Sequence, residues 1–157
     1  MKGIVTINTD AGFFPMQKVG SYAYWIKADG LHLHGSGMFR DKCNNPTDAE
    51  YKAIINALHV LKCSGYIPIK KIIFNRDNIN VESKKKGHDN QRKIYLLIRQ
   101  LRKQSIKNKI IKGIYPFYEF RHVKAHNGTS DKRSWVNDWC HNQCSLRLKE
   151  WLIKNPF

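Results

Sequence analysis

The chain has 157 residues, and 41% of them are hydrophobic. This is enough to bury the core of one domain, and it excludes an intrinsically disordered chain. Lys and Arg number 28 against 12 Asp and Glu, which gives a formal charge of +16. That excess favours a polyanionic partner, nucleic acid before an anionic membrane surface. We therefore predict one domain over residues 1–157 with a nucleic-acid partner.

The first residues and the apolar runs predict the compartment. Met1 and Lys2 lead straight into Gly3–Ile7, without the apolar segment or cleavage site of a signal peptide. No apolar run approaches the ~20 residues that a membrane span needs. We expect a cytoplasmic protein without membrane contact. Its four cysteines would then be reduced thiols rather than disulfides.

Hydrophobic periodicity predicts eight elements in chain order. Alternating or continuous apolar runs predict strands over 2–8, 21–27, 31–39, 69–74 and 117–123. Apolar residues at helical spacing predict helices over 49–61, 90–108 and 134–152. Asp29-Gly30 predicts a tight turn, and Gly12 with Pro15 predicts a loop over 11–19. The order β-β-β-α-β-α-β-α predicts an α/β fold with a five-stranded mixed sheet, its first three strands antiparallel, and helices on both faces.

Three acidic residues lie at the predicted ends of elements. Asp10 ends the first strand, Glu50 lies in the first turn of the first helix, and Asp77 follows the fourth strand. Clustered carboxylates repel one another unless hard divalent cations neutralise them, and two such ions can cleave a phosphodiester. Each residue also has a structural interpretation. Asp10 could be a turn residue, Glu50 a capping-box acid placed after Thr47, and Asp77 a helix N-cap.

Five short segments resemble type 1 ribonuclease H, in the order and on the elements that the family uses. These segments are TINTDAGFFP at 6–15, NNPTDAE at 44–50, IIFNRDN at 72–78, VKAHNG at 123–128 and VNDWCH at 136–141. The resemblance covers nearly the whole chain and implies the ribonuclease H-like fold. It also implies a monomer that hydrolyses the RNA strand of RNA/DNA hybrids, leaving 5′-phosphate and 3′-hydroxyl ends.

The resemblance assigns roles to individual residues. Asp10, Glu50 and Asp77 would bind two Mg²⁺ or Mn²⁺ ions, and His126 would assist proton transfer or product release from a flexible loop. Contacts to the 2′-hydroxyls that distinguish RNA from DNA would come from the asparagines and backbone near the site. These substrate-binding residues would be Ala11, Gly12, Asn44, Asn45 and Asn78.

One position departs from the family pattern. His141 stands where the family usually has the fourth carboxylate, and Asp138 lies nearly one helical turn earlier. We favour His141 as the fourth metal ligand, which predicts weaker Mg²⁺ binding and relatively better activity with Mn²⁺. Cys140 and Cys144 could form a soft-metal cluster with His141, but their spacing favours buried core thiols.

A long basic stretch begins at Lys84, Lys85 and Lys86 and continues through the second predicted helix. In the family a basic protrusion in this region grips the DNA strand, and the resemblance implies the same role for these lysines. A solvated helix face is the structural alternative. Tyr22, Tyr24 and Trp25 are expected to be sheet or core residues rather than base-stacking platforms.

Two other functions remain open from the sequence. The same fold supports resolvase-like DNA nucleases, against which the asparagines and the histidine loop argue. A hybrid-binding protein that has lost catalysis is the second alternative, supported only by the altered fourth position. A cleavage assay distinguishes the three hypotheses. A ribonuclease H would cut the hybrid, a resolvase-like nuclease would cut branched DNA, and a non-catalytic protein would cut neither.

Overall fold

A computed structural model describes residues 2–76, 89–108, 116–123 and 132–156. The strands in these ranges are β1 (Ile4–Phe14), β2 (Val19–Ala28), β3 (Leu31–Met38), β4 (Lys71–Arg76) and β5 (Tyr118–His122). The helices are α1 (Pro46–Cys63), α2 (Asp89–Asn108) and α3 (Lys132–Lys154). No helix in the described ranges combines the length and apolarity that crossing a bilayer requires.

The strands form one mixed sheet in the order β3-β2-β1-β4-β5. β1 pairs antiparallel with β2, and β2 antiparallel with β3, whereas β4 runs parallel to both β1 and β5. The predicted antiparallel meander is confirmed. Its β2–β3 turn is Asp29-Gly30, and Gly30 has a φ of 80°, a conformation that glycine adopts without strain.

Helices cover both faces of the sheet, as predicted. On one face, α1 and α2 bury the main core against Val5, Ile7 and Phe74 of the central strands. On the other face, α3 packs on β1 and β2, where the buried cluster is small and consists of Ala23, Cys140 and Cys144. Successive strand residues point to opposite faces. Thr6, Asn8 and Asp10 therefore share the α3 face.

The predicted loop over 11–19 is wrong at its start, because β1 continues to Phe14 and pairs with β2 along the way. Asp10 accordingly lies inside the strand, opposite Ala23, instead of ending it. Gly12 leaves room for the side chain of Ser21, its neighbour on β2. A Cβ at Gly12 would lie 2.5 Å from Ser21 Oγ and 3.6 Å from the Cys144 carbonyl oxygen. Gly12 is a packing position in a strand, not a breaker.

Candidate active site

Asp10 lies in the part of β1 that still pairs with β2 but no longer pairs with β4. The parallel pairing with β4 ends at Asn8 and Asn75, while the pairing with β2 continues. The Asp10 side chain is only 6% exposed, and its Oδ1 accepts a hydrogen bond from the Ala11 N–H at 2.9 Å. Its Oδ2 lies 3.1 Å from His141 Nδ1. The structure thus brings together Asp10 and His141, two predicted site residues 131 positions apart.

Two buried thiols dock α3 on the strand that carries Asp10. Cys140 Sγ donates to the Asn8 carbonyl at 3.8 Å, and Cys144 Sγ donates to the Asp10 carbonyl at 3.1 Å. Ser21 Oγ adds a hydrogen bond to the Cys144 carbonyl at 2.8 Å. His141 follows Cys140 directly and is held over Asp10 by these contacts, with half of its side chain exposed.

The thiols themselves are core residues, as predicted. Cys140 and Cys144 are both buried. Burial raises the pKa of the Cys144 thiol far above its usual range, and the nearby charge of Asp10, then Cys140, then Glu50, raises it further. A thiol held protonated in this way is a poor metal ligand.

Asp48, rather than Glu50, is the acid that caps α1. The N-cap residue is Asn45, not Thr47 or Asp48, and Asn45 Oδ1 accepts from the Asp48 N–H at 2.8 Å. The Asp48 carboxylate accepts in turn from the Asn44 N–H at 2.9 Å. The capping-box interpretation of Glu50 is therefore wrong.

Sequence reasoning missed the role of Asp48, although the Asn45-x-x-Asp48 spacing is the signal of a capping box. Asp48 also accepts a hydrogen bond from Asn90 Nδ2 at 2.5 Å, which joins the start of α2 to the start of α1. The first turn of α1, with Glu50, is thereby fixed from two sides.

The geometry of Asp10 and His141 suits a divalent cation. Neighbouring ligand atoms on an octahedral ion at 2.0–2.2 Å are about 3 Å apart, which is the separation of Asp10 Oδ2 and His141 Nδ1. No group of three or more His, Cys, Asp and Glu residues close enough to hold a metal ion occurs in the described ranges. Among the predicted site residues in these ranges, the structure therefore brings together one pair, Asp10 and His141, and does not group Glu50 with it.

The remaining predicted residues are distributed as follows. Ala11 and Gly12 lie in β1, opposite Tyr22 and Ser21, and both asparagines at the start of α1 are exposed. Because Asn45 Oδ1 caps the helix, its Nδ2 is the side-chain group that remains to donate to a substrate. Several predicted site residues lie outside the described ranges. They are Asp77, Asn78, Lys84, Lys85, Lys86 and His126.

The described fold is similar to solved structures of ribonucleases H. RNase H1 from the halophilic archaeon Halobacterium salinarum NRC-1 superposes with a TM-score of 0.61 at 18% identity, over 94% of this chain and 99% of that one. The chain has the ribonuclease H-like fold. No protein-family model matches the sequence, and no curated protein matches it significantly.

Two further structures show the range of ribonucleases H that share the fold. LC11-RNase H1 in complex with an RNA/DNA hybrid has a TM-score of 0.63 at 16% identity, over 94% of this chain and 99% of that one. LC9-RNase H1, described as a type 1 RNase H with the type 2 active-site motif, has a TM-score of 0.52 at 11% identity, over 97% and 82%. At such identities the likeness concerns the fold alone.

Proposed function

We propose that this protein is an endonuclease that hydrolyses the RNA strand of RNA/DNA hybrids. The observation that carries the proposal is the 3.1 Å approach of Asp10 and His141. It places a buried carboxylate and an imidazole together where β1 separates from β4. The ribonuclease H-like fold supports the same activity, and one structure with that fold contains an RNA/DNA hybrid.

Asp10, Glu50, His141 and Asp77 would together hold two Mg²⁺ or Mn²⁺ ions. Asp77 follows the last residue of β4 directly in the sequence. When bound, such ions supply an activated water and charge stabilisation for the leaving oxygen. The protein contributes a fixed pair of ligands, Asp10 and His141, and a carboxylate, Glu50, on the capped first turn of α1. His126 is proposed to move a proton or release the product.

Substrate contacts are proposed on both sides of this site. Asn44 and Asn45 are exposed at the start of α1 and can donate amide hydrogens to 2′-hydroxyls, and Ala11, Gly12 and Asn78 are proposed to complete that contact. The DNA strand would bind to the basic surface of Lys84, Lys85, Lys86 and α2. The described part of α2 carries six Lys and Arg residues against a single acid, Asp89.

The test is cleavage of an end-labelled RNA/DNA hybrid in Mg²⁺ and in Mn²⁺, beside single-stranded RNA, duplex DNA and a four-way DNA junction. We expect metal-dependent cuts in the RNA strand of the hybrid only, and their loss in Asp10→Asn. Asp29→Asn, an exposed acid in the β2–β3 turn, is the matched control and should cleave normally. Preferential cleavage of the junction would indicate a resolvase-like nuclease. Hybrid binding without turnover would indicate a non-catalytic protein.

A further inference from the structure

A cavity of about 330 Å³ opens between the first turns of α3 and the sheet, on the face that carries Asp10. Its volume lies in the range of small-molecule sites. The described residues that line it come from β1, β2, β4 and α3. They are Thr6, Asn8, Trp25, Lys27, Asn75, Trp135 and Val136.

The floor of the cavity consists of two buried carboxamides. Asn8 and Asn75 are each 4% exposed, and Asn75 Nδ2 donates to Asn8 Oδ1 at 3.4 Å. Within the described part of the chain, Asn8 Nδ2 and Asn75 Oδ1 have no hydrogen-bond partner. A buried amide group without a partner is costly. Since the terminal torsion of asparagine is soft, a small rotation can direct one donor and one acceptor at a ligand.

The walls are two tryptophans at a right angle. The Trp25 and Trp135 ring centroids are 5.6 Å apart with an angle of 84° between the planes. Trp135 is 56% exposed although it is a large apolar side chain. The Trp25 ring already contacts His34 and Trp139, so Trp135 is the ring on which a planar ligand would stack. Such a ligand would meet Trp25 edge-on, and both arrangements are favourable for aromatic pairs.

The rim is cationic. Lys27 is exposed, and none of the seven described lining residues is acidic. An anionic group on the ligand would therefore meet a lysine and no opposing carboxylate. A flat aromatic ring, an adjacent donor and acceptor on its edge, and an attached anion are together the chemistry of a nucleotide.

We propose that this cavity is a nucleotide-binding site, in which the base stacks on Trp135 beside Trp25, its edge contacts Asn8 and Asn75, and its phosphate contacts Lys27. The cavity adjoins the Asp10–His141 pair but is lined by neither residue: Asn8 precedes Asp10 by two residues, about 7 Å along the same face of the strand. Trp25 is a residue of β2 packed against the Ala23, Cys140 and Cys144 cluster, as expected from the sequence. The proposal does not depend on nuclease activity.

Isothermal titration calorimetry with AMP, adenosine and ribose 5-phosphate, in EDTA so that no cleavage occurs, tests the assignment. We expect saturable binding of AMP, weaker binding of adenosine and no binding of ribose 5-phosphate. Trp135→Ala should weaken AMP binding about tenfold or more, and Trp135→Phe should weaken it less. Lys27→Ala should remove the preference for AMP over adenosine. Leu146→Ala, an exposed apolar residue of α3 outside the cavity, should bind AMP normally.

A second comparison identifies the source of the nucleotide. A hybrid with one unpaired adenosine at its end should compete with AMP better than the blunt hybrid if the site takes strand ends. Equal competition by both hybrids points to a free mononucleotide. The proposal is overturned if AMP does not bind, if ribose 5-phosphate binds as tightly as AMP, or if Trp135→Ala leaves the affinity unchanged.

Discussion

At the scale of single residues, the imidazole of His141 determines how much negative charge surrounds Asp10. A carboxylate at this position would add a formal negative charge and a hard oxygen ligand, whereas a neutral imidazole adds neither. Hard Mg²⁺ depends on oxygen ligands more than Mn²⁺ does. The charge at one position of α3 should therefore set the metal preference of the whole site.

His141→Asp should lower the Mg²⁺ concentration for half-maximal hybrid cleavage about tenfold or more and change the Mn²⁺ requirement less. The physical reason is the restored negative charge beside the buried Asp10 carboxylate. The measurement is the cleavage rate of wild type and variant over a series of concentrations of each metal.

Asp138→Ala is the companion variant, since Asp138 lies on the same helix nearly one turn before His141. We expect it to keep both activity and metal preference. If Asp138→Ala abolishes cleavage and His141→Asp changes nothing, Asp138 is the fourth residue of the site.

The position of His141 illustrates what could not be predicted from the residues themselves. From the sequence, His141 was favoured over Asp138 as the fourth metal ligand only because its spacing from Asn137 matches the family pattern. Its distance to Asp10 depends on how α3 docks, which is decided by Cys140, Cys144 and Ser21. Two of these contacts end on backbone carbonyls of β1, and the third ends on a carbonyl of α3. Contacts to backbone carbonyls cannot be predicted from the sequence, because every residue has a carbonyl group.

At the scale of elements, the start of α1 carries two acids for which we propose different tasks. Asp48 is buried and accepts hydrogen bonds from Asn44 and Asn90, while Glu50 follows it by two positions and is proposed to bind metal. We therefore expect substitution of Asp48 to affect mainly stability and substitution of Glu50 to affect mainly activity.

Asp48→Ala should lower the free energy of unfolding by roughly 2–4 kcal/mol, because a helix cap and a buried, charge-assisted hydrogen bond are lost together. Glu50→Gln should leave that free energy within about 0.5 kcal/mol while abolishing cleavage. Urea denaturation and the hybrid assay, run on both variants, check this. Equal destabilisation by the two changes would contradict the division of tasks.

The elements themselves were largely predictable. Periodicity located all eight, because each strand or helix buries one face or is buried on both. The error at β1 has a clear origin: Gly12 was interpreted by its local preference for turns, whereas in the strand it leaves room for the Ser21 side chain of β2. Tertiary packing overrode the local signal.

At the scale of the whole molecule, α2 extends from the proposed site to the opposite end of the sheet. Asn90 contacts the start of α1, whereas Ser105 Oγ accepts from the Ile69 N–H, near the beginning of β4. Arg92 and Lys107 are about 22 Å apart along the helix. Equal charges on one helix thus lie at very different distances from Asp10.

We expect the double variant Arg92→Gln, Lys93→Gln to weaken hybrid binding and to reduce the slope of log affinity against log salt by up to about 1.8, the value for two phosphate contacts on a duplex. Lys103→Gln, Lys107→Gln is the matched control, with the same charge change at the distal end, and should alter both quantities less. Fluorescence anisotropy with a labelled hybrid in EDTA measures them. If the two double variants have the same affinity and salt dependence, the positive charge of α2 attracts the hybrid without position-specific phosphate contacts.

The docking of α3 on β1 makes Asp10 and His141 parts of one rigid body, since the strand and the helix are joined through carbonyls on either side of the pair. Glu50 lies on another element, α1, whose first turn is tied to the start of α2 by the hydrogen bond between Asn90 and Asp48. Under the proposed assignment, substitutions in α1 would shift the third metal ligand while Asp10 and His141 keep their spacing. The choice of metal or substrate would then respond to changes in α1 that leave the contact between β1 and α3 intact.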